Sequence, residues 1–189
     1  MRAHARAQHL GRPQRSRALQ DSEAYNRVLF AGSHIPMAVI DPQTGTLVDC
    51  NQAAMTLYGF NSRERLLAVS PADVSTPQQY DGRDSLQAAM ENIQTALHNG
   101  AHSFEWRHRR PTGEIWDAFV HVMAFAHAGK PLLQFSLQDI TERKRAEADL
   151  RVAATAFESQ EGMIITDAAM QILRINAACS AITGYALEE

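Results

Sequence analysis

An α+β fold is what this sequence predicts, and three observations predict it. Two apolar runs, Ile115 to Phe125 and Leu132 to Leu137, are separated by Ala128-Gly129-Lys130-Pro131, a hairpin connection between two strands. The second run empties into Asp139-Ile140-Thr141-Glu142-Arg143-Lys144, where the Thr141 hydroxyl can cap a helix and Glu142 suits its positive first turn. The segment His102 to Arg110 alternates strictly, with Phe104, Trp106 and His108 on one face and Glu105, Arg107 and Arg109 on the other. A sheet that passes with almost no linker into a charged helix is coupled to a lever, which suits a sensor better than an enzyme.

The chain has 189 residues, 45% of them apolar, enough for one ordinary domain and a remainder without disulfides or metal. No apolar run is long enough to cross a bilayer, and none near Met1 resembles the core of a signal peptide, so the cytoplasm is the expected compartment. Cys50 and Cys179 lie far apart with no paired-ligand spacing and read as small buried residues. Arg2, Arg6, Arg12, Arg15 and Arg17 all precede the first acid, Asp21. Gly11 and Pro13 break any helix there and no aromatic interleaves the arginines, so residues 1–20 read as a solvated, disordered tail. Neither nucleic acid nor membrane is an expected partner.

In chain order, Ala24, Val28 and Ala31, with Leu29 and Phe30 beside them, mark an amphipathic capping helix over residues 21–33. Met37 to Asp41 and Thr46 to Cys50 make a hairpin around Pro42-Gln43-Thr44-Gly45. Asn51 opens a helix with Ala54, Met55 and Tyr58 as its buried stripe, and Gly59 closes it. The polar stretch with Pro71 and Pro77 has no clear periodicity. From Asp84 to Asn99, Leu86, Met90, Ile93 and Leu97 share one helical face before the Asn99-Gly100 cap. The Ile115 strand is apolar on both faces, Ala118, Val120 and Val122 on one and Phe119, Met123 and Phe125 on the other. Its outer face needs a cover, for which the helix before Gly32 is the candidate.

Beyond the domain at residues 34–140, Ala146, Leu150, Ala153 and Phe157 give residues 141–158 the seam of a short two-stranded coiled coil. A homodimer through the N-terminal helix, the outer sheet face and this linker helix is therefore expected. Past it the sequence starts again: Met163 to Asp167 answers Met37 to Asp41, and Asn176 and Gly184 are spaced as Asn51 and Gly59 are. Residues 159–189 read as the opening of a second module that stops short of a core.

Asn51-Gln52-Ala53-Ala54-Met55-Thr56-Leu57-Tyr58-Gly59-Phe60, the Glu105 to Gly113 strand and turn, and Asp139 to Lys144 resemble the PAS/PAC sensor family of bacterial signalling proteins. Asn176 to Glu189 resembles the start of a second such module. The resemblance implies a PAS fold, a five-stranded antiparallel sheet with helices on one face that cup a small cavity. It also implies an output partner outside this chain, a cyclic-di-GMP synthase or phosphodiesterase or a histidine kinase, none of whose motifs occurs before Glu189.

Members of the family hold haem, flavin or small metabolites. Haem needs an axial imidazole; the long helix offers only His98 at its C-terminal end, and Ala88, Ala89 and Met90 in its middle. No cysteine lies between Cys50 and Cys179, which disfavours a covalent flavin adduct, while Trp106 could stack on a flavin held without one. The cofactor stays open, with a small metabolite favoured over haem and non-covalent flavin. Trp106, His108, Met90 and Phe104 are the candidate cavity wall, and Asp139, Ile140 and Thr141 the signalling junction. The plainer reading makes Trp106 and His108 core residues whose ring nitrogens meet backbone carbonyls. No catalytic or metal-ligating pattern is recognisable; a ligand-filled sensor and a ligand-free dimerisation scaffold both remain readings of the sequence.

Overall fold

The computed structural model describes residues 24–185 and resolves them into two compact units that meet in sequence at Ile140/Thr141. The Arg-rich residues 1–20 and the acidic pair Glu188-Glu189 lie outside the described residues.

The first unit opens with helix α1 over residues 24–31. Strands β1 (Met37–Asp41) and β2 (Thr46–Cys50) follow, then helices α2 (Gln52–Tyr58), α3 (Arg63–Leu67) and α4 (Ser85–Asn99), and strands β3 (Ala101–Arg109), β4 (Ile115–His127) and β5 (Lys130–Asp139). The strands form one antiparallel five-stranded sheet in the order β2-β1-β5-β4-β3. Ala128 and Gly129 both take positive φ, so the β4–β5 hairpin turns in two residues between His127 and Lys130. Asn51 and Asp84 cap α2 and α4 through side-chain oxygens, and Gly59 and Gly100 end them in the left-handed region.

Strand β4 buries Trp116, Ala118, Val120 and Val122 on its inner face. Two helices depart from what their sequence pattern predicts. Of the expected α4 face, Ile93 packs on the sheet, whereas Leu86, Met90 and Leu97 do not. Ala88 and Ala96 are buried with Ala89 and Ile93 half-buried, while Leu86, Met90 and Leu97 are exposed. Small residues win this position because they let the helix approach the sheet closely. Helix α1 does not cover the outer face of the sheet either. Tyr25, Val28 and Leu29 are exposed on it, and Phe119 and Met123 of β4 keep 41% and 43% of their surface.

The stretch without clear periodicity becomes α3, capped by Ser62, and a loop laid along the edge of β3. Arg109 N–H donates to Val74 O at 2.9 Å and Thr76 N–H to Arg107 O at 3.3 Å, so the loop satisfies an edge that would otherwise be open. Buried Gln79 fastens it, accepting from Arg107 N–H at 2.8 Å and donating to Ser85 Oγ at 2.6 Å.

The second unit contains α5 (Thr141–Phe157), a hairpin of β6 (Ile164–Thr166) and β7 (Ile172–Ile175), and α6 (Ala177–Thr183). Thr141 is the first helical residue rather than the cap, with Glu142 in the first turn as expected. In the seam of α5, Leu150 is 70% exposed, but Phe157 is buried with the Arg174 guanidinium 5.0 Å over its ring. Phe157 therefore belongs to the core of this unit, not to a seam for another chain.

Candidate functional site

Between the inner face of the sheet and the helices lies a cavity of about 70 Å³. Its walls come from β1 (Ala38, Ile40), β3 (Phe104, Trp106, His108), β4 (Val120), β5 (Phe135, Leu137), α4 (Ala89, Ile93) and Tyr58 of α2, with Val74 and Ser75 closing the β3 side. Most of these are inward positions of alternating strands, so the pleat itself lines the cavity with apolar side chains.

Three of the four candidate wall residues, Phe104, Trp106 and His108, take places in this wall. Met90 does not: at 54% exposure it points away, and its neighbours Ala89 and Ile93 occupy the wall. The polar nitrogens on β3 are turned to the loop. Trp106 Nε1 donates to Ser75 Oγ at 2.9 Å, and that hydroxyl donates on to Pro71 O at 2.7 Å. His108 Nδ1 lies 3.1 Å from Val74 O; a carbonyl only accepts, so Nδ1 carries the ring proton and Nε2 is left as an acceptor. His108 is 5% exposed, and Nε2 has no hydrogen-bond partner among the described residues. Burial holds its pKa down to about 4, against the Val74 hydrogen bond, so the imidazole is neutral at physiological pH. Burial likewise raises the Tyr58 phenol above its ordinary range.

Sequence reasoning passed over Trp116, the largest fully buried side chain. Its signal was the two-residue period that puts it on the face of Ala118, Val120 and Val122. Trp116 stacks on His108 with ring centroids 4.5 Å apart and planes at 19°, and Tyr58 meets both rings edge-on. The Arg110 guanidinium lies over the indole, 5.3 Å from its centre. Arg110 Nε donates to Leu57 O at 3.0 Å, and its terminal nitrogens reach Glu114 at 2.8 Å and Asp139 at 3.6 Å. A continuous set of contacts thus runs from a cavity wall residue to the last residue of β5. The next residue, Ile140, is buried and donates its N–H to Asp117 O at 2.8 Å; α5 begins at Thr141.

At about 30 Å³ per water, a cavity of about 70 Å³ has room for about two waters or one small molecule. A haem or flavin ring does not fit unless α4 moves, and His98 is exposed at the far end of that helix. Among the described residues, no group of three or more His, Cys, Asp or Glu is arranged to hold a metal ion, and no helix is long and apolar enough to cross a membrane.

A curled antiparallel sheet closed by helices over a small apolar cavity defines a class of sensory modules. A PAS domain family model matches residues 35–142, more than half of the chain, and the chain belongs to the PAS domain family. It is similar to the methyl sulfide methyltransferase-associated sensor of Methanosarcina acetivorans, with 25% identity over 142 residues, 75% of this chain but only 14% of that protein. Among solved structures, the PAS domain of an HTR-like protein from Haloarcula marismortui matches with a TM-score of 0.52 at 22% identity, covering 68% of this chain and all of the other. A PAS domain from a two-component sensor histidine kinase matches with a TM-score of 0.50 at 13% identity, covering 65% of this chain and 98% of the other. These structures share the fold.

Proposed function

We propose that this PAS module senses a small molecule in the cavity and relays its presence through β5 and α5 to an output domain. It works as a relay rather than a catalyst, in the cytoplasm, and the output is a cyclic-di-GMP enzyme or a histidine kinase, as is usual for proteins of this build. One observation carries the reading: β5 supplies Phe135 and Leu137 to the cavity wall and ends at Asp139, with Ile140 alone between it and the helix. A ligand that spreads the wall must push on that strand. The stacked Trp116 and the Arg110 bridge give the push a second route to Asp139. Asp139, Ile140 and Thr141 are the junction in this scheme.

Mass spectrometry of the denatured protein and its ultraviolet-visible spectrum test for a co-purified ligand. Ala89→Trp, which fills the cavity from α4, should abolish both the ligand and the response of the full-length protein. Two residues inserted after Lys144 turn the distal part of α5 by roughly 200°, at about 3.6 residues per turn. Output indifferent to that insertion refutes the relay.

A second reading, a ligand-free dimerisation scaffold, is favoured by the exposed Phe119 and Met123 on the outer sheet face and by Leu150 on α5. Both readings place a homodimer on those surfaces, and they differ in whether the cavity is occupied.

A further inference from the structure

From the cavity wall we infer the chemical class of the ligand: a small, uncharged, mainly apolar molecule bearing one O–H or N–H donor, which it gives to His108 Nε2. The inference rests on the cavity being the sensing site and adds what the cavity selects.

Three features of the wall lead to it. The wall includes no lysine or arginine, so a carboxylate or phosphate would be stripped of water with no cation to meet it. Ser75 and Trp106 already satisfy each other and Pro71 O, so they ask nothing of a ligand, while the Tyr58 hydroxyl, also in the wall, can give or accept a bond and so tolerates a donor or an acceptor. His108 is different. Its protonated nitrogen is committed to Val74 O, and the loop bearing Val74 is itself held to β3 through Arg109 N–H, so the ring cannot turn over without losing that bond. Nε2 is thereby fixed as a buried acceptor, and a buried polar atom with no partner is costly until something supplies one. The only other such atom among the described residues, Trp116 Nε1, is not in the wall. One face of the His108 ring is stacked on Trp116 and the ring meets Tyr58 at 87°, so the imidazole is held in place by aromatic packing.

A wholly apolar cavity prefers furan to pyrrole, because the pyrrole N–H leaves water without a new partner. A cavity with one acceptor reverses or removes that preference. Both rings are smaller than benzene and suit a cavity of about 70 Å³. Calorimetric titration of the full chain, stripped of any co-purified molecule, with pyrrole, furan and acetate reads this directly. Pyrrole is expected to bind at least as tightly as furan, and acetate to give no heat. His108→Phe, which keeps an aromatic wall, should shift the pyrrole-to-furan affinity ratio by about tenfold toward furan, the equivalent of one buried hydrogen bond. Should that variant not fold, wild-type protein with ¹⁵N-labelled histidine suffices: the Nε2 resonance of His108 should move on adding pyrrole and stay in place with furan. Furan binding without pyrrole binding, an unmoved Nε2, or acetate binding above pyrrole overturns the inference while leaving the cavity a ligand site. If neither pyrrole nor furan binds, the cavity is not the sensing site, and both readings fall.

Discussion

Asn51 and Asn176 make the same five hydrogen bonds. The Asn51 amide nitrogen donates to the carbonyls of Phe30, Ser33 and Ile35, and its oxygen accepts from Met37 N–H and Ala54 N–H. Asn176 donates to Phe157, Ser159 and Glu161 and accepts from Met163 and Cys179. One buried side chain thus ties the end of an incoming helix, the first strand and the first turn of the next helix. The correspondence of Phe30 with Phe157 identifies α1 as the counterpart of the end of α5. It leads into its module and does not lie across the sheet.

Asn51→Leu, nearly the same size, leaves up to five backbone groups without that partner. At about 1 kcal/mol each, and with some of them regaining water, the expected loss is about 3 kcal/mol. The urea midpoint of the first unit measures it, and Asn51→Asp, which keeps only the acceptor role, should fall between. A loss below about 0.5 kcal/mol would mean the hub is incidental.

The buried, neutral His108 predicts an acid-sensitive fold. Its folded pKa of about 4 lies below the ordinary 6.5, so the unfolded chain binds the proton more readily. Stability from this group is therefore fully present above pH about 6.5 and is lost as pH falls towards 4. At about 1.4 kcal/mol per pH unit the loss reaches roughly 3 kcal/mol. Arg110 disfavours the imidazolium as well, and Tyr58 and Trp116, packed on the ring, offer no anion to rescue it. Carboxylates titrate in the lower part of the same window, so the quantity to measure is the difference in urea stability between wild type and His108→Phe across it. A difference that does not change with pH would show that His108 gains a proton in the folded state at no cost.

Arg110 bridges Trp116 to Asp139 from a mostly buried position. Arg110→Met keeps the aliphatic cover on the indole and removes the charge. Protection of the Ile140 amide, bonded to Asp117 O beside the bridge, should fall by about tenfold in native-state hydrogen exchange. Amides on β1, away from the junction, should be unaffected. Equal protection at Ile140 in both proteins would leave β5 alone as the route.

Regular elements were legible because their period is local. The alternation of His102 to Arg110 and the helix ends at Asn51, Gly59 and Gly100 are all found where the pattern put them, while the Asp84 cap emerges only in the structure. The choice between two apolar faces of one helix was not legible. Leu86, Met90 and Leu97 are the bulkier set, yet a helix pressed on a sheet buries Ala88 and Ala96, and only the approach distance decides that. The Val74 to Gln79 loop was opaque for a related reason: it is ordered by backbone bonds to β3 and by the Gln79 amide, which leave no hydrophobic period. For the cavity, Trp106 and His108 could be named from their strand face, whereas Ser75, Val74 and Phe135 arrive from distant segments that only the sheet order brings together.

Phe119 and Met123 stand two positions either side of His121 on the outward face of β4, with about two fifths of their surface exposed. An apolar strip on a central strand is the natural seat of the proposed homodimer, since each copy would supply the cover the other lacks. Met123→Lys places a charge in that contact, which costs several kcal/mol when the charge cannot reach water. Within one chain the position is already solvated, so the fold should tolerate it with a change of less than about 0.5 kcal/mol. Light scattering of the wild type at tens of micromolar should therefore give a dimer, and of Met123→Lys a monomer with an unchanged circular dichroism spectrum. Leu150→Lys on α5 is the companion variant, because it tests the linker helix without touching the sheet. A wild-type monomer at that concentration removes the dimer altogether, and a dimer that survives both substitutions places its contact elsewhere.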